Sequence, residues 1–261
     1  MLSPDTAAGS TASTVCFSPR LLLHCTYILS EQMKNRKYRK IKIHKEGYAI
    51  LFSLLSVLLA SNIIVYIESP TRAIFVLNLL ISVATFSFFL YFFRNPSRQA
   101  DIDDPNLVIA PADGRIVVTE PTELYEYFDG KRMIQVSIFM SVFSVHANWY
   151  PINGMVRYSR HHSGRHVAAY LPKSSHENEH SSVVIQSENN HLIMVRQIAG
   201  ALARRIITYA APNHACHLNE HLGFIKFGSR VDIFLPEESE IFVQIGDQTR
   251  GNETIIARLP D

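Results

Sequence analysis

From Tyr48 to Ile67, and again from Ala73 to Phe93, the chain carries apolar side chains broken only by scattered Ser, Thr and Asn, with no charged residue in either run. Each run is about 20 residues long and spans about 30 Å as a helix, the thickness of a hydrocarbon core. Neither shows the polar face that a surface helix of a soluble domain needs, so the pattern predicts two membrane-spanning helices. The short connector from Glu68 to Arg72 carries Pro70 and folds them into an antiparallel hairpin over residues 48–94.

From Asn95 onward the period changes to short β-favouring runs separated by turn signals. Leu107–Ala110, Arg115–Thr119, Met133–Phe143, Met155–Tyr158, Val183–Gln186, His191–Gln197, Ile241–Ile245 and Thr254–Ala257 read as strands. Ile198–Tyr209 is rich in Ala with two arginines and reads as either a helix or a further strand. Many short strands over residues 95–261 predict a mainly β domain, a β-sandwich or flattened barrel, behind the N-terminal hairpin. One interruption stands out. Phe224–Phe227 and Val231–Leu235 are strand-like, and Gly228-Ser229 separates them. By itself this is a bulge or tight turn. A strained Gly-Ser bond would also let the Ser229 hydroxyl attack the Gly228 carbonyl, and elimination from the resulting ester would leave a group that hydrolyses to pyruvoyl.

Charge then sets an orientation. Lys34, Arg36, Lys37, Arg39, Lys40, Lys42 and Lys45 crowd the segment before the first span, and Arg94 and Arg98 follow the second. By the positive-inside rule both ends of the hairpin face the cytoplasm, with the β domain held against the cell membrane and its anionic phospholipids. A net charge of +2 gives no footprint for nucleic acid. Residues 1–32 form a Ser-, Thr- and Ala-rich leader without the basic start of a secretory signal, and Met33 opens the basic segment 33–47 as a second candidate start. Cys16, Cys25 and Cys216 are scattered, which suits a reducing compartment rather than a disulfide framework.

Candidate chemistry is spread along the β domain. Asp113-Gly114 reads first as a hairpin turn, and an inward Asp113 would orient an imidazole. His146, at the end of the longest predicted strand, is either a structural residue or a general base. Asp113, His146 and Ser229 form an Asp-His-Ser set in chain order, but Phe227-Gly-Ser-Arg-Val231 lacks the second glycine of a hydrolase elbow. His214, Cys216, His217 and His221 do not complete a zinc spacing and read as a loop or strand edge, so no metal site is expected. His161, His162, Arg165 and His166 read as surface within reach of lipid phosphate, and Arg204-Arg205 as a solvated face.

Seven blocks in order resemble phosphatidylserine decarboxylase in its short, membrane-anchored class, from about Lys42 to the C-terminus. They are Ile43-His-Lys-Glu-Gly47, Tyr91-Phe-Phe-Arg-Asn-Pro96, Pro111-Ala-Asp-Gly114, Phe139-Met-Ser141 with Val145-His146, Lys173 with Ser175 and Asn178-Glu179, Val195–Gly200 with Ala203-Arg-Arg205, and Ile225–Asp232. The resemblance implies self-cleavage at Gly228-Ser229 into a large β chain ending at Gly228 and a small α chain, Ser229–Asp261, that together form a heterodimer. The cofactor would be a pyruvoyl group made from Ser229. It condenses with the amine of phosphatidylserine and draws electrons as carbon dioxide leaves, giving phosphatidylethanolamine. Asp113 and Ser229 carry over to self-cleavage, and His146 to processing, decarboxylation or both. Longer members have a second histidine where this chain has Trp149, and an arginine commonly stands where it has His180.

Two other readings come from the residues alone. The same Asp113, His146 and Ser229 would serve a membrane-tethered hydrolase with an uncut chain. Ile241–Gly251 resembles the turns of lipoyl- and biotin-carrying domains but lacks the lysine that such a carrier modifies.

Overall fold

The computed structural model describes residues 41–69, 71–164, 178–200, 205–226 and 229–261. The leader, Pro70, Arg165, His166, Lys173, Ser175, Ala203, Arg204 and Gly228 lie outside them.

Helices α1 (Tyr48–Glu68) and α2 (Arg72–Phe92) form where the apolar runs predict. Both are long and apolar enough to cross a membrane. Among the described residues nothing covers their outer faces, with Phe52 75% and Tyr66 72% exposed. Between them runs a polar seam: Asn62 Nδ2 donates to Ser82 Oγ at 2.8 Å, and Asn78 Nδ2 to Asn62 Oδ1 at 3.1 Å. In an apolar surrounding such bonds fix the register of a helix pair. At the foot of the hairpin, β1 (Ile41–Ile43) pairs antiparallel with β2 (Arg94–Pro96), clamping its two ends together.

The remainder is mainly β, as the pattern predicts. β3 (Leu107–Ile109), β4 (Gly114–Leu124), β5 (Lys131–Met140), β6 (Ala147–Trp149), β7 (Gly154–His162), β8 (His180–Ser187), β9 (Leu192–Ala199) and β10 (Arg205–Thr208) come first. β11 (Ala215–Cys216), β12 (His221–Lys226), β13 (Ser229–Pro236), β14 (Glu240–Ile241), β15 (Gln248–Thr249) and β16 (Ile255–Arg258) follow. An eight-stranded sheet in the order β11-β7-β8-β9-β13-β5-β4-β15 is joined by two three-stranded sheets, β10-β12-β6 and β14-β16-β3.

Alternation along β13 assigns its faces. Val231, Ile233 and Leu235 enter the main core with Ile138, Val195 and Ile225, whereas Phe234 packs on the opposite side with Leu124, Met133 and Met194. A third apolar cluster joins Leu51, Phe92 and Phe93 of the hairpin to Val145, Ala147, Trp149 and Phe224 of the β domain. The foot of the helical hairpin is thus continuous with the β6–β12 layer.

Three elements differ from the sequence pattern. The strand expected to reach Phe143 stops at Met140, because Ser141 starts a turn in which Ser144 N donates to the Ser141 carbonyl at 2.9 Å. The ambiguous Ile198–Tyr209 stretch is strand at both described ends, β9 and β10, where pairing with β12 and β13 overrides its helical propensity. Ile241–Ile245 keeps only Glu240–Ile241 as strand, since the chain then turns through Gly246 at φ 105°.

Candidate active site

Ser229 is the first residue of β13, held between Met140 of β5 and Ala199 of β9, and is fully buried. Its Oγ donates to Met140 Sδ at 3.2 Å, and the same sulfur lies 3.7 Å from Asn148 Nδ2. From Asn148 a buried polar chain continues. Gln197 Nε2 donates to Asn148 Oδ1 at 2.8 Å, and Thr208 Oγ1 donates to Gln197 Oε1 at 2.8 Å. Gly223 leaves room for it, since a Cβ there would come within 2.6 Å of Gln197 Nε2. Three strands from two sheets therefore meet beside Ser229 through side-chain amides.

His146 lies two residues before Asn148, in the loop that follows β5 rather than on that strand. It is fully buried, with its ring 4.2 Å from that of Phe92. Burial pushes the imidazole down to about 4; the Ser144 carbonyl and the Asp113 charge act against this, and Arg94 adds to it. The ring is thus neutral at neutral pH. Its Nδ1 faces the Ser144 carbonyl at 3.0 Å, an acceptor only, so Nδ1 carries the proton and Nε2 keeps its lone pair. The His146 carbonyl accepts the Ile225 N–H at 3.2 Å, tying the loop to the strand that ends just before the Gly-Ser bond.

Asp113 is placed differently from a triad carboxylate. It forms a bidentate pair with the buried Arg98 guanidinium, one bond of which is 2.8 Å, and accepts the Gly251 N–H at 2.8 Å. Its influence on His146 is through charge. Trp149, at the position of the second histidine of longer members, is buried against Gly251 and lies under the Arg98 guanidinium, 5.2 Å from its ring centre. Next to Ser229, Arg230 is buried against Asp232, with Nε donating to Oδ1 at 2.6 Å.

The other histidines divide. His214 and His217 are exposed, and Cys216 is buried on the edge strand β11, where burial pushes its thiol up to about 12. His162 is half-buried rather than on the surface. With His180 and Glu126 it brings two ring nitrogens and a carboxylate oxygen within 4.8 Å of one another, a spacing a cation could use. That carboxylate is already engaged, accepting from His162 at 2.8 Å, Ser182 at 2.8 Å and Arg196 at 2.7 Å. A fixed guanidinium opposes a cation, so the set reads as a hydrogen-bonded ion pair.

The model of the phosphatidylserine decarboxylase family matches residues 85–257. The chain belongs to that family. Phosphatidylserine decarboxylase proenzymes of Bacteroides fragilis and Phocaeicola vulgatus are 48% and 46% identical over 224 residues, 86% of this chain and 98% of each relative. That of Parabacteroides distasonis is 48% identical over 219 residues, 84% of this chain and 99% of its own length. The chain is accordingly a decarboxylase, and the family supports phosphatidylserine as its substrate. Sequence reasoning missed Asn148, Gln197 and Met140 beside Ser229. Asn148 lies between apolar residues and Gln197 beside Arg196 in a mostly apolar strand, which is the signal they offered.

Proposed function

We propose that this chain cuts itself between Gly228 and Ser229, converts Ser229 into a pyruvoyl group, and with it decarboxylates phosphatidylserine to phosphatidylethanolamine and carbon dioxide. The observation that carries this is the division of strands around the bond. β12 ends at Lys226 in one sheet, and β13 begins at Ser229 between two partners in another. The small chain stays held by β13 along its whole length, by β16 on β3 and by β15 on β4, so the two products remain a heterodimer.

In self-cleavage the Ser229 oxygen attacks the Gly228 carbonyl carbon, and the bond from that carbon to the Ser229 nitrogen breaks, leaving an ester and a free amine. Loss of the Ser229 α-proton expels the Gly228 carboxylate and leaves a dehydroalanine, whose imine tautomer takes up water and releases ammonia. His146, neutral with a lone pair on Nε2, is the base for the hydroxyl proton, and the Asp113 charge favours the imidazolium that results. The fit is chemical: a buried hydroxyl beside a thioether and amides is shielded from competing water. The pyruvoyl carbonyl supplies an electron sink for loss of the carboxylate. The hairpin spans the cell membrane with both ends cytoplasmic, bringing the β domain to its lipid substrate.

Intact mass under denaturing conditions tests the reading, with Ser229→Ala alongside. Two chains are expected from the wild type, broken after Gly228, the smaller lighter by one ammonia than a Ser-initiated chain; Ser229→Ala stays whole. One uncut wild-type chain that hydrolyses esters would establish the hydrolase instead.

A further inference from the structure

At the foot of the hairpin lies a pocket of about 520 Å³. Its lining draws on both ends of the helix pair, with His44 and Lys45 just before α1 and Asn95 just after α2, and on Tyr209 and His221 of the β domain. With the hairpin in a bilayer, these residues stand at headgroup depth.

His44 is the informative residue. It is 2% exposed, and its ring stacks on Phe224 with centroids 4.4 Å apart. Its Nδ1 accepts the Glu46 N–H at 3.3 Å, so in the neutral ring the proton must sit on Nε2. That Nε2–H is buried and has no acceptor among the described residues. Buried donors are almost always satisfied, so this one calls for an acceptor beyond the described residues, and its place in the pocket lining admits a ligand. Asn95 Oδ1, also in the lining, is likewise without a partner.

The surroundings say what kind of acceptor. The Lys45 ammonium lies 3.7 Å from the centre of the Tyr209 ring, and the His221 ring is 5.2 Å from that of His44. The carboxylates nearby are turned to partners of their own, Glu46 to the Tyr209 hydroxyl at 3.0 Å and Glu220 to the His217 N–H at 3.3 Å. A buried donor beside an ammonium suits a phosphate oxygen.

We propose that this pocket binds the phosphodiester of a leaflet phospholipid, with His44 Nε2–H and the Lys45 ammonium as its donors, and so seats the β domain on the membrane surface. This rests on the membrane reading of the hairpin and is independent of self-cleavage. Whether the hairpin spans a bilayer is read separately, from retention of the chain in liposomes washed with alkaline carbonate.

The test is calorimetric titration of the detergent-solubilised full chain with dihexanoyl phosphatidylglycerol, neither substrate nor product, and separately with inorganic phosphate. Two variants accompany it. His44→Phe keeps a ring on Phe224 without the donor, and Lys45→Ala alters an exposed side chain that the fold does not need. The lipid should bind the wild type and weaken at least tenfold in each variant, with inorganic phosphate failing to displace it. Unchanged lipid affinity in Lys45→Ala and in a folded His44→Phe would overturn the proposal. Inorganic phosphate that binds as tightly and displaces the lipid would make this a free-phosphate site and overturn the lipid assignment.

Discussion

His44 and His146 are both buried, both within ring contact of Phe224, and both pushed down to about 4 chiefly by burial. They nevertheless offer opposite chemistry. His146 gives its Nδ1 proton to a carbonyl and keeps a lone pair on Nε2, whereas His44 accepts an N–H at Nδ1 and carries its proton on Nε2. One is a base and the other a donor. Burial makes an imidazole neutral, but the backbone group at Nδ1 decides what the other nitrogen can do.

The comparison breaks first at His146. His146→Ala should slow self-cleavage by about 10²- to 10⁴-fold, the range for loss of a general base, read as the rate at which the intact mass disappears after synthesis. His44→Phe retains a ring but removes a donor; an equal loss of processing there would end the division of roles.

Asp113 sharpens the comparison by separating charge from structure. Asp113→Ala takes the bidentate partner from Arg98, whose side chain is 5% exposed, and leaves it only the Glu253 carboxylate at 3.7 Å. Breaking such a buried pair costs about 3 kcal/mol, a large drop in Tm. Adding Arg98→Met should restore much of that stability, because the poorly compensated charge is gone. If Asp113 assists His146 through its charge, processing stays slow in the restored double variant. Full recovery of both would make Asp113 purely structural.

The hairpin was legible in the sequence because an apolar run of membrane length without a polar face has few other folds. The Gly-Ser interruption was legible for a similar local reason. The surroundings of Ser229 were not, since Met140, Asn148, Gln197 and Thr208 come from strands of two sheets and meet only through register. Asp113 illustrates the same limit: the Asp-Gly turn was visible, but its partner Arg98 lies beyond the apolar hairpin's second helix and pairs with it only in the fold. His44 stood in the first block of the family resemblance but gave no sign of its chemistry. A histidine in a basic segment reads as solvent-facing, and the packing of Phe224 and His221 against its ring buries it.

Acid should reveal the property the two histidines share. Each has a folded pKa below its ordinary 6.5, so as pH falls through 6.5 the unfolded chain takes up protons before the folded one. Their contribution is complete above pH 6.5 and is lost progressively toward pH 4. For His146 the full loss is roughly 3 kcal/mol, with His44 acting in the same direction. Burial pushes Glu126 up, but bonds from Ser182, Arg196 and His162 outweigh it and hold the carboxyl low, so its share is lost only further down, in the carboxylate range. Denaturant unfolding at pH 7 and pH 5 should therefore show a falling midpoint before the carboxylates titrate. Replacing His44 with Phe should remove its part of that slope and leave the parts of His146, His180 and His221, which burial also pushes down, whereas an unchanged slope would mean that His44 takes up no proton on unfolding in this window.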